Sequence, residues 1–348
     1  MRVATPITFV LVDAERLDRL ASLDPDRDWR ELVTGERAWV LQTYLRLRAS
    51  GRPVRFSDRL PEHGIAVFSC KQRHLLRRLA PARTSALLVG IRQDVGEAPF
   101  ADFEIVQNPS QADAERRFHV PSWPQPGLVP RDPARDTRIE TVVYKGFTEN
   151  LHPDLASGEW RAFLRAEGLR WRLDSVAYRE RVGAAAVAPP AERFAALAWN
   201  DFRDVDLVVA VRPPNRGLHQ RKPATKLYNA WLAGVPALLG PEVAYRSLRA
   251  SDLDYIEVGS RDEAEAAVKR LRTDPRLYRM MVDNGRKRAE AFTVDCIAEQ
   301  WARLLVEVLP ARANAPHVVR WRGKPLWLKS AVRRLRIMAS HRAARSHG

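Results

Sequence analysis

The 348 residues carry 58 Lys+Arg against 42 Asp+Glu, with 45% hydrophobic residues, 24 Pro, 17 Gly and two Cys. At roughly 100–200 residues per domain there is room for two ordinary domains with cores of their own, which excludes disordered, collagen-like and disulfide-scaffold chains. Ten of the sixteen net positive charges fall after Glu307, where no acid occurs, so the body carries only +6 and does not by itself resemble a nucleic-acid binder.

The opening MRVATPITFVLVDAERL has too short an apolar run for a secretory segment and reads as a first buried strand. No apolar run approaches the ~20 residues that cross a bilayer. Cys70 and Cys296 lie too far apart for a Cys-x-x-Cys motif, which leaves a reducing cytoplasm as the expected compartment. Short apolar runs then recur with helical stretches between them: Ile7–Val12, Ile65–Ser69, Ala86–Ile91, Phe103–Val106, and later Thr141–Tyr144, Leu169–Leu173, Val205–Val211, Val235–Leu239 and Tyr255–Val258. This alternation predicts parallel sheets covered by helices. Between the two groups, Pro121–Arg138 holds five prolines in 18 residues and reads as the connection between two α/β domains. The expected divisions are 1–135, 136–310 and a basic tail or crossover helix over 311–348.

Helices are expected at Trp39–Leu47, Glu159–Glu167, Pro190–Trp199, Lys222–Ala233, Arg261–Arg272 (opened by the capping box Ser260-Arg-Asp-Glu263), Asp274–Phe292 and Val294–Leu309. The tail segment Leu326–Met338 is amphipathic, with Leu326, Leu328, Val332, Leu335 and Met338 toward one side and Lys329, Arg333, Arg334 and Arg336 toward the other. It predicts either a docked crossover helix or attachment to an anionic membrane surface.

The chain has no Gly-x4-Gly-Lys-Ser/Thr loop, no Gly-x-Gly-x-x-Gly, no Gly-x-Ser-x-Gly and no His-Glu-x-x-His, which removes support for P-loop enzymes, ordinary nicotinamide enzymes, serine hydrolases and zincins. An Asp-x-Asp at Asp204–Asp206 could hold a diphosphate through a divalent cation, but it precedes its strand instead of following it. Ligands gather at carboxyl ends of strands, so the pair reads as a strand-entry turn and no metal site is expected.

The clearest signal is RKPATKLYNAWLAGVPALLGPEVAYRSL, Arg221–Leu248. A helix opened by Lys222, Thr225 and Lys226 presents amide N–H groups and a positive dipole end, a favourable place for a diphosphate, and ends at a Gly234-Val235-Pro236 turn. The segment resembles the donor-binding segment of GT-B glycosyltransferases, and the resemblance extends more weakly across 142–309. It implies two doubly wound Rossmann-like α/β domains facing each other across a cleft, and sugar transfer from a nucleotide-diphosphate donor to an acceptor hydroxyl. Retaining members carry two Glu in this segment, at the positions of Arg221 and Asn229 here, so the ribose-binding carboxylate is missing and Asn229 is the remaining acceptor.

Under that resemblance Lys145 and Gly146 after one strand, and Arg212 after another, are further donor-site candidates. Tyr228 and Trp231 read as core. In the first domain Asp94, after its strand, and His63, in a turn before the next one, are the candidate catalytic bases. No metal or bound cofactor is called for, because Lys and Arg can hold the departing diphosphate. The expected partners are the nucleotide-sugar, a glycan or lipid-linked acceptor of cell-surface glycan synthesis, and the inner face of an anionic membrane under a cytoplasmic, peripheral protein. No specific nucleic acid is expected. Alternatives are a sugar-nucleotide epimerase on the same scaffold, or a nucleic-acid-binding protein using the basic tail.

Overall fold

Runs of Val, Ile, Leu and Phe that are apolar at every position need cover on both faces, and in the computed structural model they form two all-parallel sheets. The structure describes residues 5–12, 16–33, 35–79, 84–93, 95–177, 180–182, 185–187, 197–215, 217, 219–319, 323–333 and 335. The chain divides into two units. The first comprises Met1–Asp28, Leu32–Pro121 and Ile297–Gly348, the second Trp29–Glu31 and Ser122–Cys296. The division thus falls at Pro121, at the start of the proline-rich stretch, where the sequence reading put it at 135.

The first unit holds β1 (Ile7–Val10), β2 (Val54–Ser57), β3 (Ile65–Ser69), β4 (Leu87–Ile91), β5 (Phe103–Val106) and β6 (Arg117–His119), in the order β2-β1-β3-β4-β5-β6. The register pairs Phe9 with Val67 and Val67 with Val89, and all three are fully buried. Helices α1 (Leu17–Ala21), α2 (Gln42–Ala49) and α3 (Arg73–Leu79) connect these strands. The edge strands β2 and β6 are absent from the sequence reading, because neither carries a buried residue and so neither leaves an apolar run.

The second unit holds β7 (Thr141–Phe147), β8 (Arg170–Val176), the antiparallel pair β9 (Glu180–Val182) and β10 (Ala185–Val187), then β11 (Leu207–Ala210), β12 (Ala237–Leu239) and β13 (Ile256–Glu257). Its sheet runs β13-β12-β11-β7-β8, which puts three strands distant in sequence side by side at its centre. Helices α4 (Pro153–Ala156), α5 (Gly158–Ala166), α6 (Thr225–Ala233), α7 (Val243–Leu248), α8 (Arg261–Thr273) and α9 (Pro275–Ala289) complete it. Of the expected helix Pro190–Trp199, residues 190–196 lie outside the described residues. The capping box forms at α8: Ser260 Oγ accepts from the Glu263 amide at 3.2 Å, while the Glu263 carboxylate reaches back to the Gly259 amide at 2.6 Å.

The Asp-x-Asp pair does enter a strand. Asp206 is fully buried and accepts from Arg131 at 2.8 Å, Arg135 at 2.7 Å and the amides of Glu140 and Thr141 at 2.8 and 2.9 Å. Burial opposes its charge, but these donors outweigh it and hold the carboxyl below the usual carboxylate range. Asp204 is taken by Arg170 and Arg172.

Residues 297–348 group with the first unit, which is entered by α10 (Val294–Arg303): Trp301 packs edge-on against Phe9, with ring centroids 6.5 Å apart. A helix over 326–333, α11, docks on the same body. Leu326 joins the core cluster of Phe68, Leu88 and Phe100, as an apolar docking face predicts. Lys329 corrects the expected division of the helix into faces. Read as solvated, it is buried and pairs with Asp102 at 3.0 Å, and Arg333 pairs with Glu97 at 3.0 Å. Leu335, expected on the docked side, is 62% exposed, as is Trp327.

Candidate functional site

The second unit gathers most of the expected donor-site residues at the carboxyl ends of β7, β11 and β12, around the start of α6. Helix α6 begins just after Pro223, with Leu227, Ala230 and Trp231 burying one face, and it stops because Gly234 takes the left-handed conformation at φ 70°. Its N-cap is Ala224, so no side chain caps the first turn, and no acid lies in it. The amide end therefore keeps its affinity for an anion.

Lys226 lies one residue inside this helix. Its ammonium donates to the Lys145 carbonyl and sits 4.7 Å over the Tyr144 ring. From the sequence this lysine is a donor-site candidate at an exposed helix start. Its stem keeps partial exposure, but its charged end is enclosed. Burial, then the neighbouring Arg212 cation, pull it down to about 7, with Glu242 opposing and Lys145 adding to the shift. Gly146 makes room for it. A Cβ there would meet the Lys226 Nζ at 2.6 Å, and the backbone takes φ 147°, a region that glycine alone enters freely.

Arg212 follows β11 and is nearly buried. Its Nε donates to Glu242 Oε2 at 3.0 Å. Glu242 follows β12 at the N-cap of α7, yet its side chain makes no cap hydrogen bond and turns to Arg212 instead. One atom on each partner, Arg212 Nη1 and Glu242 Oε1, is buried without a hydrogen-bond partner.

The remaining candidates are placed differently. Lys145 does not offer its ammonium to the loop: it pairs with Asp174 at 2.7 Å and donates to the carbonyls of Ala198 and Asp201, so only its backbone carbonyl faces the site. Asn229 accepts from the Gln125 amide at 2.9 Å, so that lone pair is engaged within the protein. Thr225 Oγ1 is held by the Tyr228 hydroxyl at 3.2 Å. Lys222 is partly buried at the entry to the helix and Arg221 is exposed. Tyr228 and Trp231 are core, as expected, packing against Phe292.

In the first unit, His63 lies exposed just before β3, at the amino end of the sheet, away from the carboxyl ends where ligands of such sheets gather. Asp94 lies outside the described residues. At the carboxyl ends of β1, β3 and β4 the structure brings together groups that the sequence reading missed. Ser69 Oγ accepts from the Gln93 side chain at 3.1 Å, the Gln72 side chain brackets the backbone of Val12, and Gln93 is buried at φ 53°. Gln93 carries the signal usual for a functional loop, a non-glycine residue held in the left-handed region.

No protein-family model and no curated protein matches the chain. Solved structures do. Sucrose-phosphate synthase from Thermosynechococcus elongatus superposes with a TM-score of 0.55 at 14% identity, over 88% of this chain and 100% of that one. HepE of Anabaena, solved with UDP-glucose, superposes with a TM-score of 0.49 at 13% identity, over 86% of this chain and 99% of that one. With one six-stranded and one five-stranded parallel sheet, each covered by helices, the chain has the GT-B fold of two Rossmann-like domains.

Proposed function

We propose that this protein is a glycosyltransferase that moves a sugar from a nucleotide-diphosphate donor to an acceptor hydroxyl. The observation that carries the reading is the cluster of Lys226 and Arg212 at the uncapped start of α6, on the carboxyl side of the second unit's sheet. Negative charge that builds on a departing diphosphate is stabilised by fixed cations and amide dipoles in a partly dehydrated site. Lys226, Arg212 and the first-turn amides supply that here, so the reading needs no metal or bound cofactor.

The proposed acceptor is a glycan or lipid-linked hydroxyl of cell-surface glycan synthesis, met at the inner face of a membrane. Supporting this are the acid-free basic segment after Glu307 and the outward side of α11. Trp327, Ala331 and Leu335 are exposed at helical spacing while the inward side is already used for docking. Among the described residues no helix is long and apolar enough to cross a membrane.

Melting with UDP, GDP and ADP tests the donor reading. A ligand at a hundredfold its Kd stabilises by ~2.7 kcal/mol, a shift of several degrees. One nucleotide raising the melting temperature, followed by release of that nucleotide from its sugar conjugates, supports the reading. No shift with any of the three removes it.

A further inference from the structure

The side-chain cluster at the start of α6 has more cations than it can compensate. Arg212 and Lys226 converge there with Glu242 the carboxylate in reach, while the Lys145 ammonium is turned away to Asp174. Glu242 is committed to Arg212, and Asp174 to Lys145 and to Arg172 at 3.2 Å. Among the described residues Lys226 has a backbone carbonyl and the face of Tyr144 as its partners. A ring face and a carbonyl stabilise an ammonium less than a carboxylate does, and a permanently charged guanidinium stands beside it. The Tyr144 hydroxyl is close by, and Tyr245 on α7 stands among the same Glu242 and Arg212 charges. Burial pushes the pKa of both phenols above the usual value, so both stay neutral and add no charge. On its own helix Tyr228 is likewise buried and neutral. Glu149 influences Tyr144 from the loop after β7.

We propose that binding of a pyrophosphate-bearing ligand at this loop is coupled to the uptake of one proton from solvent by the Lys226 amine, and that Glu242 is the positioning residue that keeps Arg212 beside it. The inference rests on the donor reading above and deepens it. Glu242 is 2% exposed, declines the cap of its own helix, and leaves Oε1 buried without a partner. Removing its charge takes away the one anion that favours the protonated amine. The sign follows from linkage: the bound state holds one more proton than the free state above about 7, so affinity falls toward tenfold per pH unit above that point.

The test is calorimetry of UDP, GDP and ADP at about pH 8, where the ligand's own phosphates are fully ionised, in buffers of differing ionisation enthalpy. The wild type is expected to take up close to one proton per ligand bound. Lys226→Arg, charged throughout, is expected to bind without uptake and with a flatter pH profile. Glu242→Gln is expected to move the pH at which affinity begins to fall downward, and Glu242→Asp to restore it; a merely structural role would lower affinity equally at every pH. Binding to the wild type without proton exchange overturns this inference and leaves the donor reading standing. Absence of binding by all three nucleotides removes the donor reading and this inference with it.

Discussion

The Lys226 ammonium, 81 residues along the chain from Lys145, donates to the Lys145 carbonyl directly beside Gly146. The lysine thus takes its place from the absence of a side chain on its neighbour. Gly146→Ala is expected to push Lys226 out of this position and to strain a backbone at φ 147°. Nucleotide-diphosphate affinity should drop about tenfold, the worth of one charge-assisted contact, and titration calorimetry reads it. Lys226→Ala is expected to lose at least as much while keeping the wild-type circular dichroism spectrum.

Asp206 ties the entry of β11 to Arg131 and Arg135 through a carboxylate with no exposure. Asp206→Ala leaves those guanidiniums facing an emptied site and is expected to cost about 3–5 kcal/mol in denaturant unfolding. Because the folded carboxyl lies below its ordinary value, its contribution is complete above the unfolded pKa and is lost as pH falls through the folded one. Wild-type stability is therefore expected to fall on acidification below about pH 4, and Asp206→Asn to flatten that fall.

Glu104 carries the opposite dependence. Burial pushes its carboxyl up to about 7, against Arg92, with Glu97 adding and Arg333 opposing, and Oε2 has no partner. An acid whose folded pKa is raised favours folding while protonated, so its contribution is present below the unfolded value and is lost as pH rises through about 7. Glu104→Gln is expected to remove that loss, seen as a flatter melting temperature between about pH 5 and 8.

Lys329 and Asp102 form a buried pair, 4% and 5% exposed, that fastens α11 to the first unit. Lys329→Ala removes the cation facing the buried Asp102 carboxylate and is expected to destabilise by about 3–5 kcal/mol. The double variant Lys329→Met with Asp102→Asn, which removes both charges and keeps the acceptor that Asp102 offers the Leu88 amide, is expected to recover most of it in the same unfolding measurement.

The outward side of α11 has a separate test. Sedimentation with anionic vesicles is expected to carry the protein down at low salt and release it at high salt, with neutral vesicles leaving it in solution. Trp327→Ser with Leu335→Ser is expected to weaken recovery without changing the melting temperature, because neither side chain is buried. Equal recovery in the supernatant under all conditions would reduce the tail to a docking helix with a solvated exterior.

What the sequence determined by itself is local. The runs Ile65–Ser69 and Phe103–Val106 could only be buried strands, Ser260 and Glu263 could only start a helix, and Gly234 before Val235-Pro236 could only end one. These signals lie in consecutive residues, where hydrophobic period and backbone preference act. The edge strands β2 and β6 were invisible because half-exposed strands leave no apolar run. The site's charge balance was invisible for a different reason. Whether Lys145 meets Asp174, Arg212 meets Glu242, or Lys329 meets Asp102 depends on strand order, register and docking across 29, 30 and 227 residues. Only when β7, β11 and β12 lie side by side does a loop with two lysines become a charge cluster with one amine lacking a carboxylate, because desolvation and Coulomb energy depend on distances that only the tertiary structure creates.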